Sequence, residues 1–200
     1  MNQDSRHEPV LVEGGHGVVM VRDDLGDVPR FALPDGYTLR WFEPGDEEHW
    51  YRIHRDCEGY GDLSDTLFAE QFGTDNDLLS KRMAFIFNSD DLPVATNAAW
   101  FNDWNGKHWG RVHWVATSRS EQGKGLSKPL MTVVCKRLRE LGHTRAYLTT
   151  NTMRVRAICL YAEFGFEPYW DTDEEKAVWE ELIRKVRQLG RQIGSWSRLG

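Results

Sequence analysis

The sequence predicts a mixed α/β (α+β) fold, one mostly antiparallel sheet flanked by helices. Three observations carry this. Strand-like runs at 83–88, 94–100 and 110–117 follow one another through turn residues, which describes an antiparallel meander. Past Thr117 the apolar period changes, and Leu126, Leu130, Val134, Leu138 and Leu141 recur at helical spacing. Runs at 145–149 and 166–170 then alternate with helical stretches, the signature of strands joined through crossovers.

In chain order, residues 1–16 are polar and glycine-bearing and read as a flexible arm. Residues 17–21 suit a short strand. Pro34-Asp35-Gly36 is turn chemistry, and the alternating run 37–42 after it is a second strand. Pro44-Gly45-Asp46 stops that strand and offers Asp46 as a helix N-cap, with Trp50, Ile53 and Cys57 on one face of the helix that follows. Leu67, Phe68 and Phe72 suggest another short helix. Asn102 to Gly106 turns the chain between the second and third strands of the meander. Gly142 is placed to end the helix from Leu126, a shorter helix runs from Val155 to about Gly165, and a charged final helix begins at Asp173. Residues 17–200 therefore read as a single domain.

Two hundred residues with 40 % apolar side chains suffice for one core. A net charge of −6 argues against a general nucleic-acid binder, since no face is basic enough to neutralise a phosphate backbone. Lys136, Arg137 and Arg139 occupy neighbouring helical positions and suit a solvated face. Cys57, Cys135 and Cys159 form an odd set without CxxC spacing, so neither a disulfide framework nor a metal staple is expected. With no apolar run near the roughly 20 residues of a membrane span and no signal-peptide pattern at Met1, a cytoplasmic location away from membranes is the expectation.

The segment Gln122-Gly123-Lys124-Gly125-Leu126-Ser127 lies between a strand and a helix. Its glycines let the backbone approach a ligand closely, and a helix N-terminus presents unpaired N–H groups with a partial positive charge, which favours phosphate. Lys124 and Lys128 add cations, and Pro129 fits the first helical turn at little cost. Neither GxxxxGK[ST] nor GxGxxG is matched, and on spacing alone an ordinary glycine turn explains the loop equally well.

Taken with a second block, however, the loop resembles the GNAT superfamily of N-acetyltransferases. Gln-Gly-Lys-Gly-Leu-Ser is similar to that family's Gln/Arg-x-x-Gly-x-Gly/Ala motif. Asn151…Ala157…Leu160-Tyr161…Phe164-Gly165-Phe166 is similar to its second signature, in the right order and at the right separation. The resemblance is close from about Arg111 to Pro168 and looser from Leu33 to Asp103. Ser127 departs from the family's Gly or Ala, but it is small enough for close backbone approach.

The resemblance implies a coenzyme-binding core over about 110–170, with a splayed central strand pair. Gln122, Gly123, Lys124, Gly125, Leu126 and Ser127 would hold the pyrophosphate of acetyl-CoA, and Asn151 enters the coenzyme site with the second signature. The pantetheine arm would lie along Val115, Ala116 and Thr117 like an added strand. No metal is implied; the expected partners are an acyl-CoA and an amine acceptor, and a homodimer is left open. The backbone N–H of Val115 would serve the oxyanion. Tyr161 would donate a proton to the leaving thiolate, its phenol (reference pKa about 10) being protonated at neutral pH. Packing of Tyr161 with Phe164 is the alternative. Where the family often carries a glutamate base, eleven residues before the motif, this chain has Arg111, which cannot accept a proton. His113, two residues on and on the same strand face, is the candidate base, with a structural histidine as the competing reading. Asp56, Glu58, Asp62 and Asp65 could attract a cationic amine or simply be solvated. Trp100, Trp104, Trp109 and Trp114 could line an acceptor pocket or pack in the core.

Overall fold

The computed structural model describes residues 15–57 and 63–188. The predicted arm therefore lies almost wholly outside the described residues. Their strands form one seven-stranded sheet in the order β2-β3-β4-β5-β6-β1-β7. The meander comprises β2 (Thr38–Trp41), β3 (Met83–Phe87), β4 (Pro93–Trp104) and β5 (Lys107–Thr117), each antiparallel to its neighbour. The β4–β5 turn is tighter than the sequence suggested. Asn105 and Gly106 both take positive φ (49° and 69°), so a two-residue loop matches the strand twist.

β5 is joined to β6 (Ala146–Asn151) by a parallel pair, which requires the crossover supplied by α4 (Ser127–Glu140). Beyond β6 stands β1 (Gly17–Arg22), which pairs antiparallel with both β6 and β7 (Glu167–Tyr169). The alternation of β1 shows why it fits there. Val18 and Met20 enter the core under α4, whereas Val19 and Val21 join Trp104, Trp109, Tyr147 and Tyr169 on the other face.

α4, α5 (Val155–Glu163) and α6 (Asp173–Gln188) cover the first face through Val134, Leu138, Ile158, Phe164, Trp179 and Leu182. α1 (Glu47–Asp56), α2 (Leu67–Phe72) and α3 (Asn76–Ser80) cover the meander's other face, led by Trp50, Ile53, Phe68 and Phe72. No separate sequence signal announces the five-residue α3, whose entry is capped when Asp75 accepts from the Leu78 N–H. Asp46 stands at the expected N-cap position of α1, but its carboxylate makes no cap bond. It is gripped instead by both Arg40 guanidinium nitrogens (2.6 and 2.9 Å), a stronger charge-assisted fork. Gly142 ends α4 as predicted. At φ 89° it lets His143 N–H reach back to the Leu138 carbonyl, a six-residue closure. Gly165 does the same after α5, where Phe166 N–H bonds the Tyr161 carbonyl at 3.0 Å.

The four hairpin tryptophans divide into two packed groups, Trp100 and Trp114 on the α1 side and Trp104 with Trp109 at the far end. Three of them are buried and Trp114 is partly so, which makes them core before anything else. The three cysteines form no disulfide.

Candidate functional site

The sheet is interrupted at one place, and the candidate site is built around it. β4 and β5 are in register up to Ala98 opposite His113, and resume with Thr96 opposite Ala116. A single residue, Asn97, therefore faces two, Trp114 and Val115: a β-bulge. Trp114 pays for it with a left-handed φ of 55°, unusual for so large a side chain. The bulge turns Trp114 to the same face as His113, where its ring lies 4.9 Å from Trp50 and 5.2 Å from His54.

On the other edge of β5, pairing to β6 is confined to Gly110–Ala146 and Arg111–Tyr147. Past Arg111 the two parallel strands part, as expected for a splayed pair. Arg111 marks the parting point. It donates to Thr149 Oγ1 on β6 at 3.2 Å and places its guanidinium 5.4 Å from the Tyr147 ring centroid. Val115, Ala116 and Thr117 follow along the open side of β5.

The glycine loop closes this slot at its far end. After β5, residues Arg119–Glu121 make a short 3-10 turn, and the chain then bends through Gly123 (φ 82°) and Gly125 (φ 86°) into α4. Both values lie where side chains are disfavoured. Around Gly123 the space a Cβ would occupy is empty, while at Gly125 it would meet only Pro34 at 3.8 Å. Leu126 is buried and pins the loop into the core beside Leu130. No side chain caps α4, so the start of a 14-residue helix presents its N–H groups unclaimed by any cap. Open backbone, two left-handed glycines and an uncapped helix dipole fit a pyrophosphate.

Neighbouring side chains hold the loop. Gln122 Nε2 donates to the Thr117 carbonyl at 3.3 Å, and Asp56, from the end of α1, accepts the Arg119 N–H at 2.9 Å. Of the four candidate acids, Asp56 is thus a loop tether, Asp65 pairs with Arg55 at 3.2 Å, and Glu58 and Asp62 lie outside the described residues. Lys124 contacts Glu121 at 3.0 Å and Lys128 contacts Glu163 at 2.6 Å. Ser127 is half-buried.

The second signature packs into the core beside β5. Tyr161, 6 % exposed, belongs to the same core cluster that Val115 packs against. Asn151 ends β6, and its Oδ1 accepts the Met153 N–H at 2.9 Å, fixing the turn into α5. His113 lies on the opposite face, its ring centroid 5.1 Å from that of Phe72. It is 3 % exposed, and its Nε2 has no hydrogen-bond partner among the described residues. Burial pushes its pKa well below the ordinary histidine value, and Arg111 and His54 add to that effect. The structure thus gathers Val115, Tyr161 and the loop on one face and leaves His113 across the sheet, with the splay between them. Sequence reading missed Glu121 and Tyr37, whose hydrogen bond at 2.5 Å joins the loop to the residue before β2. No group of ligands suited to a metal ion occurs among the described residues, and no described helix is long and apolar enough to cross a membrane.

Comparison with known proteins agrees with this geometry. The profile of the acetyltransferase (GNAT) family matches residues 41–166. A mycothiol acetyltransferase of Pseudarthrobacter chlorophenolicus is 29 % identical over 161 residues, covering 74 % of this chain and 47 % of that protein. Its counterpart from Paenarthrobacter aurescens is 28 % identical, covering 73 % and 47 %. The chain thus spans about half the length of these relatives. A crystal structure of a GCN5-related N-acetyltransferase from Sphaerobacter thermophilus superposes with a TM-score of 0.61 at 22 % identity, covering 76 % of this chain and 48 % of that one. From the bulge, the splay and the uncapped loop to the matched profile, the chain belongs to the acetyltransferase (GNAT) family.

Proposed function

We propose that this protein transfers an acetyl group from acetyl-CoA to a primary amine of a small molecule or peptide by direct attack. The observation that carries the reading is the slot between β5 and β6, opened beside the bulge at Trp114–Val115 and leading to the uncapped start of α4. Acetyl-CoA supplies the activated thioester. The loop from Gln122 to Ser127 would take its pyrophosphate, Val115, Ala116 and Thr117 its pantetheine arm, and Asn151 shapes the turn beside them. The amine nitrogen attacks the thioester carbonyl, the Val115 N–H steadies the oxyanion, and the carbon–sulfur bond breaks as Tyr161 protonates the thiolate.

The amine must shed a proton, and this reading gives it to His113, directly or through water. A histidine so desolvated is a weak base. Turnover is therefore expected to climb with pH until the amine itself is neutral, rather than to level off near pH 6.5. A panel of amines assayed for thiol release from acetyl-CoA tests the proposal. Binding of CoA without turnover on any acceptor would instead favour a CoA-binding sensor, the reading that Arg111 supports by standing where the family often has an acid. Hydroxyl acceptors and longer acyl-CoA donors are tested in the same panel.

A further inference from the structure

Tyr37 and Glu121 are brought together from opposite ends of the meander. Tyr37 follows the Pro34-Asp35-Gly36 turn and immediately precedes β2, whereas Glu121 closes the 3-10 turn after β5. β2 and β5 are three strand spacings apart, about 14 Å across the sheet. Their loops therefore fold over the sheet end to meet. Glu121 is only 8 % exposed, and both of its oxygens are engaged: Oε2 accepts from the Tyr37 hydroxyl at 2.5 Å and Oε1 faces Lys124 Nζ at 3.0 Å. Pro34, from the same segment as Tyr37, lies beside Gly125.

We propose that Tyr37, Glu121 and Lys124 form a bridge that holds the glycine loop in its phosphate-accepting shape, with Glu121 as a positioning residue. This rests on the coenzyme reading above. Glu121 touches no phosphate; it orients Lys124, whose ammonium has three donors and so keeps others for a pyrophosphate oxygen. Lys124 in turn neutralises the carboxylate, which limits the repulsion an acid beside a phosphate site would otherwise cause. The hydroxyl of Tyr37 fixes the second oxygen and stops the carboxylate from following the lysine outward. Consistent with this, the Tyr37 hydrogen bond and Lys124 lower the Glu121 pKa.

The test is CoA affinity by titration calorimetry on the full chain, with thermal midpoints measured alongside. Glu121→Gln and Tyr37→Phe are each expected to weaken CoA binding about fivefold, the scale of one lost hydrogen bond, with near-parental midpoints. Because Glu121 acts through Lys124, the double variant Glu121→Gln/Lys124→Met should bind no more weakly than Lys124→Met alone. Parental affinity in both single variants, tighter binding by Glu121→Gln, additive losses in the double variant, or losses that track a fallen midpoint would each overturn the bridge. Failure of the unmodified protein to bind CoA at all would remove the coenzyme reading itself.

Discussion

Three histidines, His54, His113 and His143, are buried, and burial depresses the pKa of each, to about 3 for His54 and about 4 for His143. The sign of the consequence is fixed. Above pH 6.5 both folded and unfolded chains carry these rings neutral, and stability is at its full value. As pH falls below 6.5 the unfolded chain takes up protons that the folded chain refuses, so stability drops until the folded pKa values are reached. The slope is about 1.4 kcal/mol per pH unit for each histidine. Urea midpoints should therefore fall clearly between pH 7 and 5, a window above the ordinary carboxylate range, and an unchanged midpoint would contradict this account. Tyr161 tests the chemistry at the same scale. Tyr161→Phe keeps the packing in the core and removes only the hydroxyl, so kcat should drop about 100-fold with little change in KM for acetyl-CoA. An unaffected kcat would return Tyr161 to the core. The positions of Tyr161, Val115 and the loop were legible in the sequence because a spaced pair of motifs marked them. Glu121 and Tyr37 were not, because they lie 84 residues apart and no local period announces a bond made across the end of a sheet.

The loop and α4 work as one element. Gly125 is held at φ 86° by the strand end behind it and by buried Leu126 ahead, and its Cβ position is sterically free. The cost of Gly125→Ala is thus conformational, about 1–2 kcal/mol for a left-handed alanine. Thermal unfolding should show it as a lowered midpoint, and CoA affinity should fall as well, since the loop can relieve the strain only by leaving its present path. A Gly125→Ala protein with parental affinity would mean that the loop's shape does not matter to the ligand. Most elements were readable because their apolar periods are long and clean: α4 shows five spaced apolar residues and a terminal glycine. α3 was missed because five residues hold too little period to see, and Asp46 took Arg40 in place of its cap because a tertiary ion pair outweighs a local bond.

On the scale of the whole molecule, the least expected feature is the place of β1. A strand near the start of the chain was foreseen; that it would sit between β6 and β7 was not, because alternation reveals a strand's faces and says nothing of its neighbours. Removing residues 1–22 would leave both β6 and β7 with bare edges carrying unpaired N–H and C=O groups. Such a protein should elute as soluble aggregate or be lost to the pellet, whereas the full chain should give a well-behaved species on size exclusion.

The same arrangement sets a timetable for biogenesis. The hydrogen bond from His16 to Thr152 spans 136 residues, and β7, the other neighbour of β1, emerges from the ribosome later still. β1 must therefore wait, unmatched, while the meander and α4 assemble. Closing so long a loop is slow, which makes the docking of this early strand a natural last step of folding and gives chaperones their longest window on the nascent chain.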